Sequence, residues 1–125
     1  MTADSRLTEI VIGAAYAVHN DLGEGFLEAV YVNALSIELT SLSVNHKLEM
    51  PLSVYYKGQR VGEYRADIVV EDCLILEIKA VASLNPAHEQ QLVHYLHATR
   101  MGLGLLINFG KSVNVRRKVL SKNLR

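Results

Sequence analysis

Residues 65–80 decide the fold, and their sequence is RADIVVEDCLILEIKA. Two apolar runs flank the polar pair at 71–72, a pattern that predicts a strand, a tight turn and a second strand. Charged residues interrupt the apolar runs at Asp67, Glu77 and Lys79. Because side chains alternate across a strand, Glu77 and Lys79 point to the same face, and the leucines and isoleucine between and before them point to the other.

These three charged side chains suggest a metal site. Placing two carboxylates and an ammonium in an otherwise buried hairpin is costly unless something compensates. A hard cation such as Mg²⁺ is one such compensation, because it prefers carboxylate and carbonyl oxygens. A neighbouring lysine could orient or deprotonate a metal-associated water molecule. The alternative is a surface strand whose charges pair across the hairpin, since structural ion pairs resemble active sites.

The composition limits the class of protein. The chain has 125 residues, half of them hydrophobic, which predicts one domain over residues 1–125 with a single core. Its formal net charge is zero, so nucleic-acid binding would need a local basic patch. Cys73 lies in a strand pattern, which predicts a buried thiol. The apolar run at 11–18 is too short to span a bilayer and lacks the basic start of a signal peptide, so we expect a soluble, cytoplasmic protein.

Hydrophobic periodicity predicts a mixed sheet with helices packed on it. Three strands form an antiparallel meander, and the strand after the third helix could join it in parallel through a right-handed crossover. Valines between 113 and 119 suggest a last strand. The other predicted elements, in chain order, are helix Leu7–His19, helix Phe26–Thr40, strand Val44–Tyr56, strand Arg60–Val70, strand Cys73–Ala80, a helix from Pro86 to about Arg100, and strand Leu103–Phe109.

The second predicted helix brings one more acidic residue towards the core. Its inward face has the spacing of Leu27, Val30, Tyr31 and Leu35, and Glu28 borders that face. A site residue is one interpretation of Glu28. The simpler interpretation is that an acidic residue in a first turn offsets the helix dipole, and both stay open.

Two further groups of residues are candidates for binding. His94 and His97 are one helical turn apart, which is usable zinc-ligand spacing, but His88 lies well round the helix from them. Exposed helix histidines are the commoner alternative, although His88 in a first turn could contact a phosphate. The densest basic cluster is Arg116, Arg117 and Lys118, for which we consider phosphate contacts or a solvated tail.

Short motifs follow one another along nearly the whole chain: Val18–Gly23, Gly25-x-x-Glu28-x-x-Tyr31, Arg65–Asp67, Leu76–Ala80, Gln91-x-x-x-Tyr95 and Leu106–Gly110. In kind and order these motifs resemble those of the GxxExxY proteins, a small bacterial and archaeal group. The resemblance implies membership in the PD-(D/E)XK nuclease-like superfamily and its restriction-endonuclease-like α/β/α core.

The resemblance also implies roles for single residues. Asp67 matches the D of the superfamily motif, with Ala in place of Pro before it, and Glu77-x-Lys79 matches the (D/E)XK. Asp67 and Glu77 would hold Mg²⁺ or Mn²⁺ with the backbone carbonyl of Ile78, and Glu28 could join or steady the metal. Lys79 would align a water molecule or stabilise developing charge. Gln91 and Tyr95 resemble an element that lies beside the catalytic residues of RecB-like exonucleases.

We therefore expect a metal-dependent nuclease that hydrolyses phosphodiester bonds of nucleic acid, and DNA is the expected substrate. The alternative is a catalytically silent module of the same fold that binds nucleic acid or a protein partner, which the neutral net charge favours. A third hypothesis is a homodimer formed through apolar edge strands, which would promote aggregation if they were left bare. No membrane association is expected.

Overall fold

The computed structural model describes residues 3–120, which form a five-stranded mixed sheet and three helices. The order of the strands in the sheet follows the chain. The elements are α1 (Ala3–Leu22), α2 (Glu28–Ser41), β1 (His46–Tyr56), β2 (Gln59–Val70), β3 (Leu74–Lys79), α3 (Pro86–Thr99), β4 (Leu103–Phe109) and β5 (Val113–Val119).

The predicted meander and crossover are both confirmed. Strands β1, β2 and β3 pair antiparallel, and β4 joins β3 in parallel after α3 has crossed the sheet. Both hairpin turns place two successive residues at positive φ, at 57–58 and at 71–72. This is the turn geometry whose twist matches that of the flanking strands. Strand β5 returns antiparallel along β4 and completes the sheet.

Helices cover both faces of the sheet, so the fold is the expected α/β/α arrangement. On one face, α1 and α2 pack over buried side chains that include Ile68, Leu76 and Ile107. On the other face, α3 packs through Leu92 and Leu96 on a second cluster. The two faces of the central strands are therefore both apolar, and a charged residue within them is conspicuous.

The alternation of side chains along β2 changes at Asp67. Ala66 and Val69 belong to the cluster beneath α3, whereas Ile68 and Val70 belong to the cluster beneath α1 and α2. The pairing of β2 with β3 covers only residues 68–70 of β2. The two strands therefore separate at Asp67, and the change of face and the separation occur at the same residue.

The prediction for the start of the second helix was wrong by two residues. Helix α2 begins at Glu28, and Leu27 is its N-cap with 80% of its surface exposed, although its spacing predicted an inward position. Val30, predicted to face inward as well, is also exposed, at 37%, whereas Tyr31 and Leu35 are fully buried as predicted. Periodicity could not locate the first turn, where the chain has not yet taken up helical geometry.

The prediction of a buried thiol at Cys73 was also wrong. Cys73 is exposed because it is the last residue of the turn, and its backbone N–H donates to the carbonyl of Val70 (3.0 Å). Strand β3 begins one residue later, at Leu74. In the sequence pattern, an apolar residue next to a hairpin turn looks the same as the first residue of a strand.

The edges of the sheet are β1 and β5. Strand β1 carries Pro51, as expected of an edge strand, and β5 carries Arg116, Arg117 and Lys118. The predicted basic tail is therefore an ordered strand as far as Val119. Charged residues and proline discourage pairing with another sheet, so these edges do not favour a dimer made by strand pairing.

None of the helices in residues 3–120 is both long enough and apolar enough to cross a lipid bilayer.

Candidate functional site

Asp67 fills the gap where β2 and β3 separate. Its Oδ2 accepts a hydrogen bond from the backbone N–H of Ile78 (2.8 Å). In a continuous ladder a backbone carbonyl of β2 would accept such a bond, so the carboxylate substitutes for the missing part of the sheet. The side chain of Asp67 is therefore held beside β3, next to Glu77.

Glu77 is mostly buried and incompletely satisfied. Burial, with a smaller contribution from the charge of Glu28, raises the pKa of Glu77 to about 7, although Lys79 and the backbone N–H of Asp67 act in the opposite direction. Its Oε1 is buried and has no hydrogen-bond partner among the described residues. A buried carboxylate oxygen without a donor is costly when ionised, and a bound cation would remove that cost.

Asp67 lies in the same electrostatic environment. Burial raises the pKa of Asp67, and the charges of Glu28 and Glu49 raise it too, against the Ile78 N–H and Lys79, which lower it. Glu28 and Lys79 thus act on both carboxyl groups. The structure brings together the four charged residues that the sequence indicated, at the point where the two strands separate.

A cleft of about 440 Å³ opens beside Asp67, between the start of α2 and β1. Glu28 lines it, and so does Glu49, which the sequence pattern did not indicate. Glu49 lies between two residues of β1 that pair with Ile68 and Ala66, and it has a positive φ of 49°. Counting back along the hairpin from the turn at 57–58 would have placed Glu49 within one residue of Asp67.

The loop before α2 fixes the position of Glu28. Tyr31 is fully buried, and its hydroxyl donates to the carbonyl of Gly23 (2.6 Å) and accepts from the N–H of Phe26 (3.3 Å). Gly25 has a φ of 109°, a conformation that suits glycine. The spacing Gly-x-x-Glu-x-x-Tyr therefore has a structural meaning: the glycine allows the turn, the tyrosine anchors it, and the glutamate begins the helix.

Asn108 holds the segment that follows Lys79. It is fully buried in β4 opposite Lys79, and its side chain accepts from the N–H and donates to the carbonyl of Val81, both at 2.9 Å. A Cβ atom on Gly110 would approach the Val81 oxygen to 3.0 Å, so glycine suits that position. Asn108 was not predicted as a functional residue, although a polar side chain within an apolar strand was the available signal.

Gln91 and Tyr95 both lie on α3, as predicted, but no hydrogen bond within residues 3–120 joins either side chain to Asp67, Glu77 or Lys79. Gln91 is exposed. Tyr95 is half-buried and stacks on Tyr64 with ring centroids 3.5 Å apart. Tyr95 is therefore a packing residue of the cluster under α3 in this structure.

The remaining candidates are engaged elsewhere. His88 accepts a hydrogen bond at Nδ1 from the backbone N–H of Asn85 (3.2 Å) and completes the cap of α3. Its Nε2 then carries the proton, which opposes its use as a zinc ligand. Lys118 and Arg116 form ion pairs with Glu89 at 2.9 Å and 3.9 Å. Within the described chain, no three or more histidine, cysteine, aspartate or glutamate side chains are arranged to hold a metal by themselves.

A family model described as the PD-(D/E)XK nuclease superfamily matches residues 5–119. The chain belongs to the PD-(D/E)XK nuclease superfamily. A solved structure titled "Crystal structure of SSO0001" resembles this PD-(D/E)XK chain with a TM-score of 0.59 and 21% identity, which supports the fold. The similarity covers 94% of this chain but 59% of that one, so the present chain spans less than two thirds of its length. No curated protein matches the chain.

Nucleases of the PD-(D/E)XK superfamily generally depend on a divalent metal, and the residues present here fit one. Asp67 and Glu77 are acidic, adjacent in space and partly desolvated, and Oε1 of Glu77 has no other partner in residues 3–120. Mg²⁺ usually takes only one or two protein carboxylates and completes its shell with carbonyl oxygens and water. The absence of a three-residue cluster in the described chain is therefore compatible with such a site.

Proposed function

We propose that this protein is a metal-dependent nuclease that hydrolyses phosphodiester bonds, with DNA as its first expected substrate and Mg²⁺ or Mn²⁺ as its cofactor. Asp67, Glu77 and the backbone carbonyl of Ile78 would hold the metal, and Glu28 would join or steady it. The observation that carries the proposal is the buried Oε1 of Glu77, which has no partner in residues 3–120 and lies next to Asp67 where two strands separate. The family of the chain supports the reaction class.

In this proposal the residues of the site have separate roles in catalysis. When bound, the cation would polarise the scissile phosphate and lower the pKa of a coordinated water. Lys79, half-buried at the end of β3, donates to the water or to the phosphate and stabilises the charge that develops in the transition state. Asn108 keeps the segment after Lys79 in place through Val81. Gln91 is exposed and could reach a phosphate, whereas Tyr95 would act through packing.

We also propose membership in the narrower GxxExxY group. The arrangement of Gly25, Glu28 and Tyr31 supports it, because each motif residue has a distinct part in placing the first residue of α2 beside the carboxylates. Phosphate contacts by Arg116, Arg117 and Lys118, a homodimer and a cytoplasmic location stay predictions.

Lys79 and Asp67 provide the test. Lys79→Ala should reduce cleavage by roughly 100-fold or more, because the interaction is strongest in the transition state. Mn²⁺ binding should survive in this variant, since both carboxylates remain and a cationic neighbour has gone. Asp67→Asn should lose both cleavage and Mn²⁺ binding while keeping an acceptor for the Ile78 N–H. The exposed Lys111, replaced by Ala, is the matched control and should behave as wild type.

The measurements are cleavage of labelled single- and double-stranded DNA and RNA with Mg²⁺, Mn²⁺ or EDTA, and calorimetric titration of Mn²⁺. Thermal unfolding of each variant shows whether it is folded. Wild-type protein that binds Mn²⁺ through Asp67 yet cleaves none of the four substrates would overturn the nuclease proposal. It would leave the silent binding module as the better hypothesis.

A further inference from the structure

Strands β1 and β2 continue beyond the rest of the sheet as a two-stranded arm, residues 50–66. They pair with each other over 46–56 and 59–70, whereas β2 pairs with β3 only over 68–70. A two-stranded ribbon is marginal by itself. The arm is supported by α3, against which Tyr64 stacks on Tyr95 and Met50, Leu52 and Val54 pack.

A groove of about 730 Å³ lies between the tip of the arm and the C-terminal half of α3. Its ionisable lining residues are Lys57, His94, His97 and Arg100, together with the phenol of Tyr55. Among the residues that the structure describes, none that lines the groove is acidic. In a chain with zero net charge, this is a local basic surface of the kind that phosphate binding requires.

The tip of the arm also presents aromatic rings. Tyr55 and Tyr56 keep 59% and 63% of their surface exposed. A shift in the pairing register between Val54 and Tyr55 occurs just before them, and such bulges re-aim the side chains that follow. Lys57 Nζ lies 5.5 Å from the centroid of the Tyr56 ring. An exposed ring at a basic groove is the combination that proteins use to stack an unpaired base beside its phosphates.

We propose that this groove, which we call the arm groove, binds single-stranded nucleic acid. Tyr55 stacks on a base, and Lys57, His94 and His97 contact the neighbouring phosphates. In a duplex, stacking between neighbouring base pairs covers the faces on which a tyrosine ring would stack, so the ring favours an unpaired strand. The ligand would be bound with little sequence preference, because every base has a face to stack on.

This inference rests on the proposed nuclease function in one respect, namely that the bound strand leads to the carboxylates. Tyr55 pairs with Arg60, which precedes Asp67 by seven positions along β2. At about 3.3 Å per residue the separation is roughly 23 Å. The arm groove lies on the α3 face of the sheet and the acidic cleft on the α2 face, so a bound strand would also have to pass round the β1 edge. A stacked strand advances about 3.4 Å per nucleotide, so more than about seven nucleotides would be needed to connect the two places. Oligonucleotides shorter than this should occupy one place or the other but not both.

The experiment compares Tyr55→Ala with Tyr16→Ala. Tyr16 is a matched control because its ring is similarly exposed, at 47%, but lies on α1, which does not line the arm groove. Fluorescence anisotropy in EDTA follows binding of a labelled 12-nucleotide single strand and of the corresponding duplex. Tyr55→Ala should weaken single-strand binding about 5- to 100-fold, as removal of one stacked base does, and Tyr55→Phe should restore it. Tyr16→Ala should bind as wild type.

A second variant tests the basic part of the groove. Lys57→Gln should reduce the slope of log affinity against log salt for the single strand by about 0.7, because one phosphate is no longer neutralised. An unchanged affinity in Tyr55→Ala, or an equal decrease in Tyr16→Ala, would overturn the arm groove as a binding site. A variant that unfolds is detected by thermal melting, and Tyr55→Phe then serves as the folded reference.

The two proposals fail in different ways. If single strands bind through Tyr55 and no substrate is cleaved, the arm groove stands and the nuclease proposal fails. If cleavage of a 12-nucleotide strand proceeds and Tyr55→Ala changes neither its affinity nor its KM, the nuclease proposal stands and the arm groove fails.

Discussion

Asn108 and Glu77 are both polar side chains within apolar strands, but the fold treats them in opposite ways. Asn108 is fully buried in β4, and both of its polar atoms are hydrogen-bonded to Val81. Glu77, on the adjacent strand β3, leaves Oε1 buried without a partner in the described chain and has a pKa of about 7. One residue stabilises the fold, and the other weakens it. The comparison indicates which buried polar group is structural and which one awaits a ligand.

Replacing Asn108, whose polar atoms are both hydrogen-bonded, should have the largest effect on stability. Asn108→Ala leaves the N–H and the carbonyl of Val81 without their partners, and each unsatisfied group costs about 1–3 kcal/mol. We expect a decrease of about 2–4 kcal/mol in the free energy of unfolding, measured by urea denaturation. Cleavage should also fall, because the segment after Lys79 loses its anchor.

Asn114→Ala is the matched control for this prediction. Asn114 pairs with Asn108 across β4 and β5 but is exposed. Its replacement should change the free energy of unfolding by less than about 0.5 kcal/mol. Equal decreases in the two variants would show that burial does not distinguish these asparagines, and the comparison with Glu77 would lose its basis.

Replacing Glu77, the residue with the unsatisfied oxygen, should increase stability instead of decreasing it. The pKa of Glu77 is about 7 in the folded chain, against an ordinary value of 4.5. Between these values the folded protein keeps a proton that the unfolded chain releases, so stability from this residue is present below pH 4.5 and is lost as pH rises through 7. Glu77→Gln should therefore be more stable than wild type by about 1–3 kcal/mol at pH 8 and no different at pH 4. The readout is urea denaturation at each pH.

A divalent cation should reverse that order. Mn²⁺ at 100 times its dissociation constant would stabilise the wild-type protein by about 2.7 kcal/mol, whereas Glu77→Gln lacks the charge to bind it. At pH 8 with Mn²⁺, wild type should then equal or exceed the variant. Glu9→Gln, an exposed change on α1, should show neither effect. A stability difference that is constant from pH 4 to pH 8 and indifferent to Mn²⁺ would contradict the assignment of Glu77 as a metal ligand.

The smallest effect concerns the basic residues of β5. Arg116 and Lys118 already pair with Glu89, whereas Arg117 has no ion-pair partner in residues 3–120. If the cluster contacts nucleic acid, Arg117→Gln alone should reduce the salt slope of binding by about 0.7–0.9. Replacing all three by Gln should add little to that. A threefold larger reduction in the triple variant would show that Arg116 and Lys118 contact nucleic acid despite their pairing with Glu89. An unchanged slope would show that the cluster does not contact nucleic acid.

Much of the fold followed from the sequence because its signals are local. The strands around Asp67 and Glu77 have strong apolar alternation, and Asn85-Pro86 predicted the start of α3 correctly. The misplaced residues lie at the ends of elements. Cys73 and Leu27 are apolar, and the pattern of their neighbours could not show that a turn and an N-cap would expose them.

The site was predictable only in part for a different reason. Asp67, Glu77 and Lys79 are visible because charges interrupt apolar runs, and the structure brings them to one place. Glu49 is hidden because its proximity to Asp67 depends on the exact register of the hairpin. The polar side chain of Asn108 in an apolar strand was visible, but its partner was not, because Val81 is 27 positions away and offers only its backbone. No sequence pattern specifies such a backbone partner before the strands are placed.

The hydrogen bond from Ile78 to Asp67 has a consequence for how this chain can change over evolutionary time. The carboxylate that would hold the metal also accepts the hydrogen bond that joins β2 to β3. A descendant that has lost the activity would therefore still need an acceptor at position 67. Asparagine retains such an acceptor and alanine does not. Lineages that have become inactive should therefore be enriched in Asn at position 67. Position 79 should vary freely in them, because no hydrogen bond of the described fold depends on its side chain.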